Sequence, residues 1–119
     1  MLNKELILST LIENAQREPG IVSIKSLYGN EYSRPDTIIL KGKKRRKVTP
    51  DLVIEFNKRT DLYMIEQGTD YDIIKWRLLS LYASQMHGIL HIVAPEDYEL
   101  HISRKIKDSS IDARVVGFS

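Results

Sequence analysis

Three ionisable residues carry the chemistry this sequence offers: Asp51, Glu66 and Lys75. Two carboxylates brought to one place hold a hard cation such as Mg2+ through oxygen. A cation there activates water and neutralises charge on a phosphate. A lysine beside it orients the water or stabilises the developing anion. Each residue also has a plain structural role. Asp51 suits a turn after Pro50, and Lys75 suits an ion pair with Asp72 or Glu66. Glu55 falls on the same strand face as Asp51, but the strand rise places it about 13 Å along, too far to share one metal.

Four elements must position these side chains, organised around the stretch from Thr49 to Tyr82. It reads as strand (52–56), polar turn (57–61), strand (62–67) and long helix (about 70–87). Asp51 opens the first strand and Glu66 closes the second. The run Leu62 to Ile65 is apolar on both faces, as in a central strand. Thr69 to Asp72 has the form of a capping box, and Gly88 supplies a stop. With Lys75 at zero on the helical wheel, Tyr71, Leu78, Leu79, Tyr82 and Met86 fall within about 60° of it. Ser80 and Ser84 fall on the far side, and Trp76 on the flank. Lys75 thus lies in the stripe that should face the sheet, where it must snorkel out or meet an anion.

Around this unit, residues 3–17 read as a helix capped by Asn3 and ended by Pro19-Gly20. Ile7, Leu8, Leu11 and Ala15 share one side of it, and Glu13 lies opposite. The 21–34 stretch is strand or irregular. Residues 37–41 form a strand that should turn through a basic cluster and pair with 52–56 as an antiparallel hairpin. Residues 89–94 make a strand reached from 62–67 by a parallel crossover, right-handed by rule. A helix over 97–108, anchored by Leu100, Ile102 and Ile106, and a strand over 113–118 complete the chain. The expected architecture is α/β, a mixed sheet covered by helices.

Composition narrows the classes. The length of 119 residues suits one domain spanning 1–119, and 42% hydrophobic residues is ordinary for a soluble one. No apolar run reaches the roughly 20 residues of a membrane span, so no membrane role is expected. The N-terminus does not read as a signal peptide. The absence of cysteine removes disulfides, zinc thiolates and thiol catalysis, leaving a cytoplasmic setting as the default. The net charge of +2 says little, but Lys41, Lys43, Lys44, Arg45, Arg46 and Lys47 form a basic cluster at the expected hairpin tip. It is either a solvated loop guarding a strand edge or a surface for nucleic-acid phosphate. His87, His91 and His101 lack metal-ligand spacing and read as structural or surface residues. No phosphate-binding glycine loop, nucleophile elbow or zinc motif is present.

Pro50-Asp51 at a strand start, fourteen intervening residues, Glu66 after the next apolar strand, then a helix and a strand resemble the PD-(D/E)XK nuclease superfamily. The resemblance in topology runs from about residue 3 to 94. It implies a restriction-endonuclease-like fold with an α-β-β-β-α-β core, followed here by a C-terminal helix and strand. It implies Mg2+, with Mn2+ as substitute, on Asp51 and Glu66, and cleavage of DNA phosphodiester bonds. DNA would be tracked by the basic cluster, with Arg104, Lys105 and Lys107 as further contacts, and a homodimer is the expected assembly. Pro35-Asp36 is a second Pro-Asp pair, one strand too early. The pattern departs at the lysine two residues after the acid, where Gly68 stands. Lys75 on the helix is the residue that takes that charge, or the site is degenerate and the domain serves as a nucleic-acid-binding or protein-assembly module. An unrelated α/β domain with structural acids is the third reading.

Overall fold

Runs of β-branched and large apolar residues supply the strands, and the turn chemistry between them fixes which strands meet. The structure is a computed structural model describing residues 3–68 and 70–119. In chain order the elements are α1 (Lys4–Ala15), β1 (Ile21–Ser26), β2 (Ile38–Leu40), β3 (Arg46–Val48), β4 (Leu52–Phe56), β5 (Thr60–Ile65), α2 (Ile73–Gln85), β6 (Leu90–Pro95), α3 (Glu99–Asp108) and β7 (Ala113–Phe118). A 3-10 turn over Glu96–Tyr98 leads into α3. The main sheet has the order β1-β4-β5-β6-β7. β1, β4 and β5 form an antiparallel meander, and β5, β6 and β7 run parallel. The expected α/β class with a mixed sheet under helices is what forms.

One face of the sheet carries α1, where Leu8 and Ile12 pack on Leu52, Ile54, Tyr63, Ile65 and Val93. The other carries α2 and α3, where Trp76, Leu79, Ala83, Ile102 and Ile106 pack on Leu62, Met64, Leu90, Ile92 and Ala94. Alternation along β4 and β5 assigns successive side chains to the two layers. As expected, β5 is buried along nearly its whole length. No described helix is long and apolar enough to cross a membrane.

Four expectations are corrected. The strand at 38–40 does not pair with 52–56. It pairs with β3, and the two form a separate two-stranded sheet. Pro50 is the physical reason: it is fully buried and has no N–H to continue a ladder. The chain therefore leaves the small sheet at Thr49-Pro50 and enters the large one. The place beside β4 goes instead to β1, the stretch whose reading was open. Second, α2 is turned on its axis relative to the expected stripe. Trp76 is fully buried rather than flanking, and Ser80 is buried rather than opposite. The Ser80 hydroxyl donates to the Arg77 carbonyl at 2.8 Å, which removes the cost of burying it. Tyr82 is exposed.

Third, α2 begins at Ile73, with Asp72 as its cap, accepting from the Lys75 N–H at 3.0 Å. The expected capping residue Thr69 lies outside the described residues. At the other end the left-handed residue is His87 (φ 60°), and Gly88 donates to the Ala83 carbonyl at 2.9 Å, a Schellman closure. Fourth, Leu100 is exposed, and only Ile102 and Ile106 anchor α3.

Candidate active site at one end of the sheet

In the β4–β5 ladder Leu52 stands opposite Tyr63. Asp51, one step before β4, and Glu66, one step after β5, therefore emerge at the same end of the sheet. Their alternation partners Val53 and Met64 belong to the α2 face. Asp51 is fastened at several points. Its N–H donates to the Tyr63 carbonyl at 3.0 Å, and its carbonyl accepts from the Leu27 N–H at 2.9 Å. Its Oδ2 accepts from the Ile65 N–H at 2.7 Å. The residue is 5% exposed. Burial holds its carboxyl above the usual range, and the Glu66 charge adds to this, against the Ile65 N–H, Lys4 and Lys75.

Glu66 donates its N–H to Val93 at 2.7 Å, which aligns it with the end of β6. Its Oε1 accepts from the indole Nε1 of Trp76 at 2.9 Å and lies 3.5 Å from Lys75 Nζ. Neighbouring residues in the first turn of α2 thus reach one carboxylate oxygen. Lys75 remains 24% and Glu66 14% exposed at the side chain. The structure therefore brings Asp51, Glu66 and Lys75 together, and Lys75 reaches the site from the border of the buried stripe. Tyr71 packs beside them, its ring 5.0 Å from Trp76 and 5.7 Å from His101. Its hydroxyl is buried without a partner among the described residues, and burial, with Glu66 and Tyr98 adding, pushes its pKa up.

Sequence reasoning missed Lys4 and Tyr28. Lys4, in the first turn of α1, donates from Nζ to the Tyr28 hydroxyl at 2.9 Å. That hydrogen bond raises the lysine pKa, burial opposes it, and Asp51 and Glu66 add to the rise. Spacing held a signal for it: Lys4, Leu8 and Ile12 recur every four residues, and the last two are buried.

Other expected residues lie elsewhere. Glu55 sits 3.7 Å from Lys25. His91 is buried in β6, stacked on Tyr63 at 4.3 Å, with Nε2 3.7 Å from Asp61 Oδ2. In the basic cluster Lys41, Lys43, Lys44 and Arg45 occupy the turn of the small hairpin, whereas Arg46 and Lys47 lie in β3 rather than at the tip. Arg46 is paired with Asp72, the cap of α2, while Lys41, Lys43, Lys44, Arg45 and Lys47 are exposed. The hairpin rests on α2: a Cβ at Gly42 would lie 3.5 Å from Leu78. A Cβ at Gly68 would meet nothing within 4 Å.

No group of three His, Cys, Asp or Glu residues suited to a metal is found among the described residues. The pair Asp51 and Glu66 still fits Mg2+, which uses one or two carboxylates and completes its shell with water and phosphate. Asp51 supports the fit: it is a desolvated carboxylate with no ion-pair partner among the described residues, and a bound cation relieves that cost. No protein-family model, curated protein or solved structure matches this chain.

Proposed function

We propose that this chain is a PD-(D/E)XK-like nuclease domain that hydrolyses phosphodiester bonds of DNA. The observation that carries the reading is the meeting of Asp51, Glu66 and Lys75 at one end of the sheet, with Lys75 Nζ 3.5 Å from Glu66 Oε1. The antiparallel meander β1-β4-β5 followed by a helical crossover to β6 supports a restriction-endonuclease-like arrangement.

Asp51 and Glu66 would hold Mg2+, which when bound would lower the pKa of water and offset phosphate charge. The fixed backbone of Asp51 aims its carboxylate, and the Trp76 indole holds Glu66 in one rotamer. Lys75 stabilises the charge that builds on the phosphate as the water gives up a proton to solvent and its oxygen bonds to phosphorus. The bond from phosphorus to the leaving oxygen breaks, and that oxygen takes a proton from solvent. Lys41, Lys43, Lys44, Arg45 and Lys47 track the duplex backbone. Two copies of the domain cut two strands.

A second reading has one observation in its favour: Glu66 Oε1 is already engaged by Trp76 and Lys75. In that reading the domain binds nucleic acid without cutting it. Titration of Mn2+ into the wild type and Glu66→Gln, with a plasmid-nicking assay on both, separates the two. Binding and nicking lost together in the variant support the nuclease. Absence of both in the wild type overturns it and leaves the binding module.

A further inference from the structure

We infer that Lys4 is a second substrate-facing cation of this site, held in place by Tyr28 and aimed at the phosphate backbone of a nucleic acid. The inference rests on the nuclease reading above. It starts from an imbalance: Lys75 contacts Glu66, and Asp51, the more buried carboxylate, has no cation within ion-pair distance among the described residues.

A chain of short contacts leads from Asp51 to Lys4. The Asp51 carbonyl accepts from the Leu27 N–H at 2.9 Å, which fixes the backbone next to Tyr28. The Tyr28 carbonyl accepts from Ser26 Oγ at 2.8 Å, so this turn is closed on itself. The Tyr28 hydroxyl then accepts from Lys4 Nζ at 2.9 Å, and the ammonium lies 5.1 Å from the centre of the same ring.

Lys4 itself is placed as a structural lysine would not be. It is half-buried, yet its partner is a neutral hydroxyl rather than a carboxylate. An ammonium has three donors, and hydrogen bonds among the described residues engage one of them. Lys4 also occupies the first turn of α1, the positive end of that helix, where a cation is unfavourable for folding and favourable for holding an anion. Lys4 and Lys75 stand on α1 and α2, elements packed on opposite faces of the sheet. A phosphate at the sheet end meets one cation from each.

The test uses the full chain and the variants Lys4→Gln, Lys4→Arg and Tyr28→Phe, each checked by thermal melting. Mn2+ affinity is read by calorimetry, and single-turnover nicking of plasmid DNA by gel. Lys4→Gln is expected to slow nicking by about tenfold or more while binding Mn2+ more tightly, because a like charge has left the neighbourhood of the metal. Lys4→Arg is expected to keep most of the rate. Tyr28→Phe is expected to slow nicking less than Lys4→Gln, with Mn2+ affinity retained. A lysine that only fastened α1 would lose rate and Mn2+ affinity together in Lys4→Gln. That result, or a Lys4→Gln rate equal to wild type, overturns the inference and leaves the nuclease reading standing. A wild type that neither binds Mn2+ nor nicks removes both.

Discussion

The contact between Trp76 and Glu66 gives a prediction that does not depend on catalysis. Trp76 is the chain's one tryptophan, is fully buried, and donates to Glu66 Oε1 at 2.9 Å. Glu66→Ala removes the acceptor, and Glu66→Gln keeps one in the same place. Both remove the carboxylate charge, its attraction to Lys75 and its repulsion of Asp51. The difference between the variants therefore reports the indole hydrogen bond together with the packing of the carbons that alanine lacks. Leaving a buried donor unpaired costs about 1–3 kcal/mol. For a domain of this size each kcal/mol lowers the melting temperature by about 4 °C. Glu66→Ala should thus melt about 4–12 °C below Glu66→Gln. Urea unfolding followed by tryptophan emission checks this, because the probe is itself the donor. Equal urea midpoints for the two variants would refute the reasoning, since the indole would then not depend on residue 66.

Three further outcomes are expected. In Gly88→Ala the new Cβ would lie 1.7 Å from the Thr60 carbonyl oxygen. Both groups belong to tightly packed backbone, so the cost reaches or exceeds the top of the about 1–3 kcal/mol range for overpacking, read as a lowered urea midpoint. Asp61 is buried, which works against its charge, but His91, the Ile89 N–H and Arg59 together depress its pKa below the usual carboxylate value. A depressed carboxylate gives stability that is complete above its unfolded pKa of 3.8 and is lost as pH falls through the folded value. Asp61→Asn should therefore flatten the acid limb of a stability–pH curve below about pH 5; an unchanged limb counts against the assignment. Replacing Lys43 and Lys44 by alanine should reduce the slope of log affinity against log salt for duplex DNA by about 2. Fluorescence anisotropy over a salt series measures it, and an unchanged slope removes these lysines from the interface.

The strand–helix–strand unit was legible because its signals agree. An apolar run on both faces marked β5, and Gly88 marked the end of α2. Antiparallel pairing of 52–56 with 62–67, with Asp51 opening one strand and Glu66 closing the next, placed the two acids at one end. The rotation of α2 was not legible, because Ile74, Leu81 and Tyr82 lie on its outer side. With apolar residues all round, the wheel offers no single stripe, and a serine that bonds its own backbone passes as a core residue. β1 was obscure because Ser23 and Lys25 interrupt an edge strand that also carries a register shift. The small β2–β3 sheet was hidden by reading one long hairpin through Pro50. The contact of Lys4 was invisible for a different reason: its partner is Tyr28, twenty-four positions away, and no local pattern carries that distance.

The open space at Gly68 bears on how such a site changes over time. Where the resembling pattern has a lysine, this chain has a glycine whose added Cβ would touch nothing within 4 Å. Packing therefore does not forbid a side chain there, and a lysine at 68 is sterically admissible. Under the reading proposed above, two helices carry the charge that the strand end would otherwise supply, so the position is free to drift. A lineage holding its cations on α1 and α2 can gain or lose the strand lysine in single steps without rebuilding the sheet.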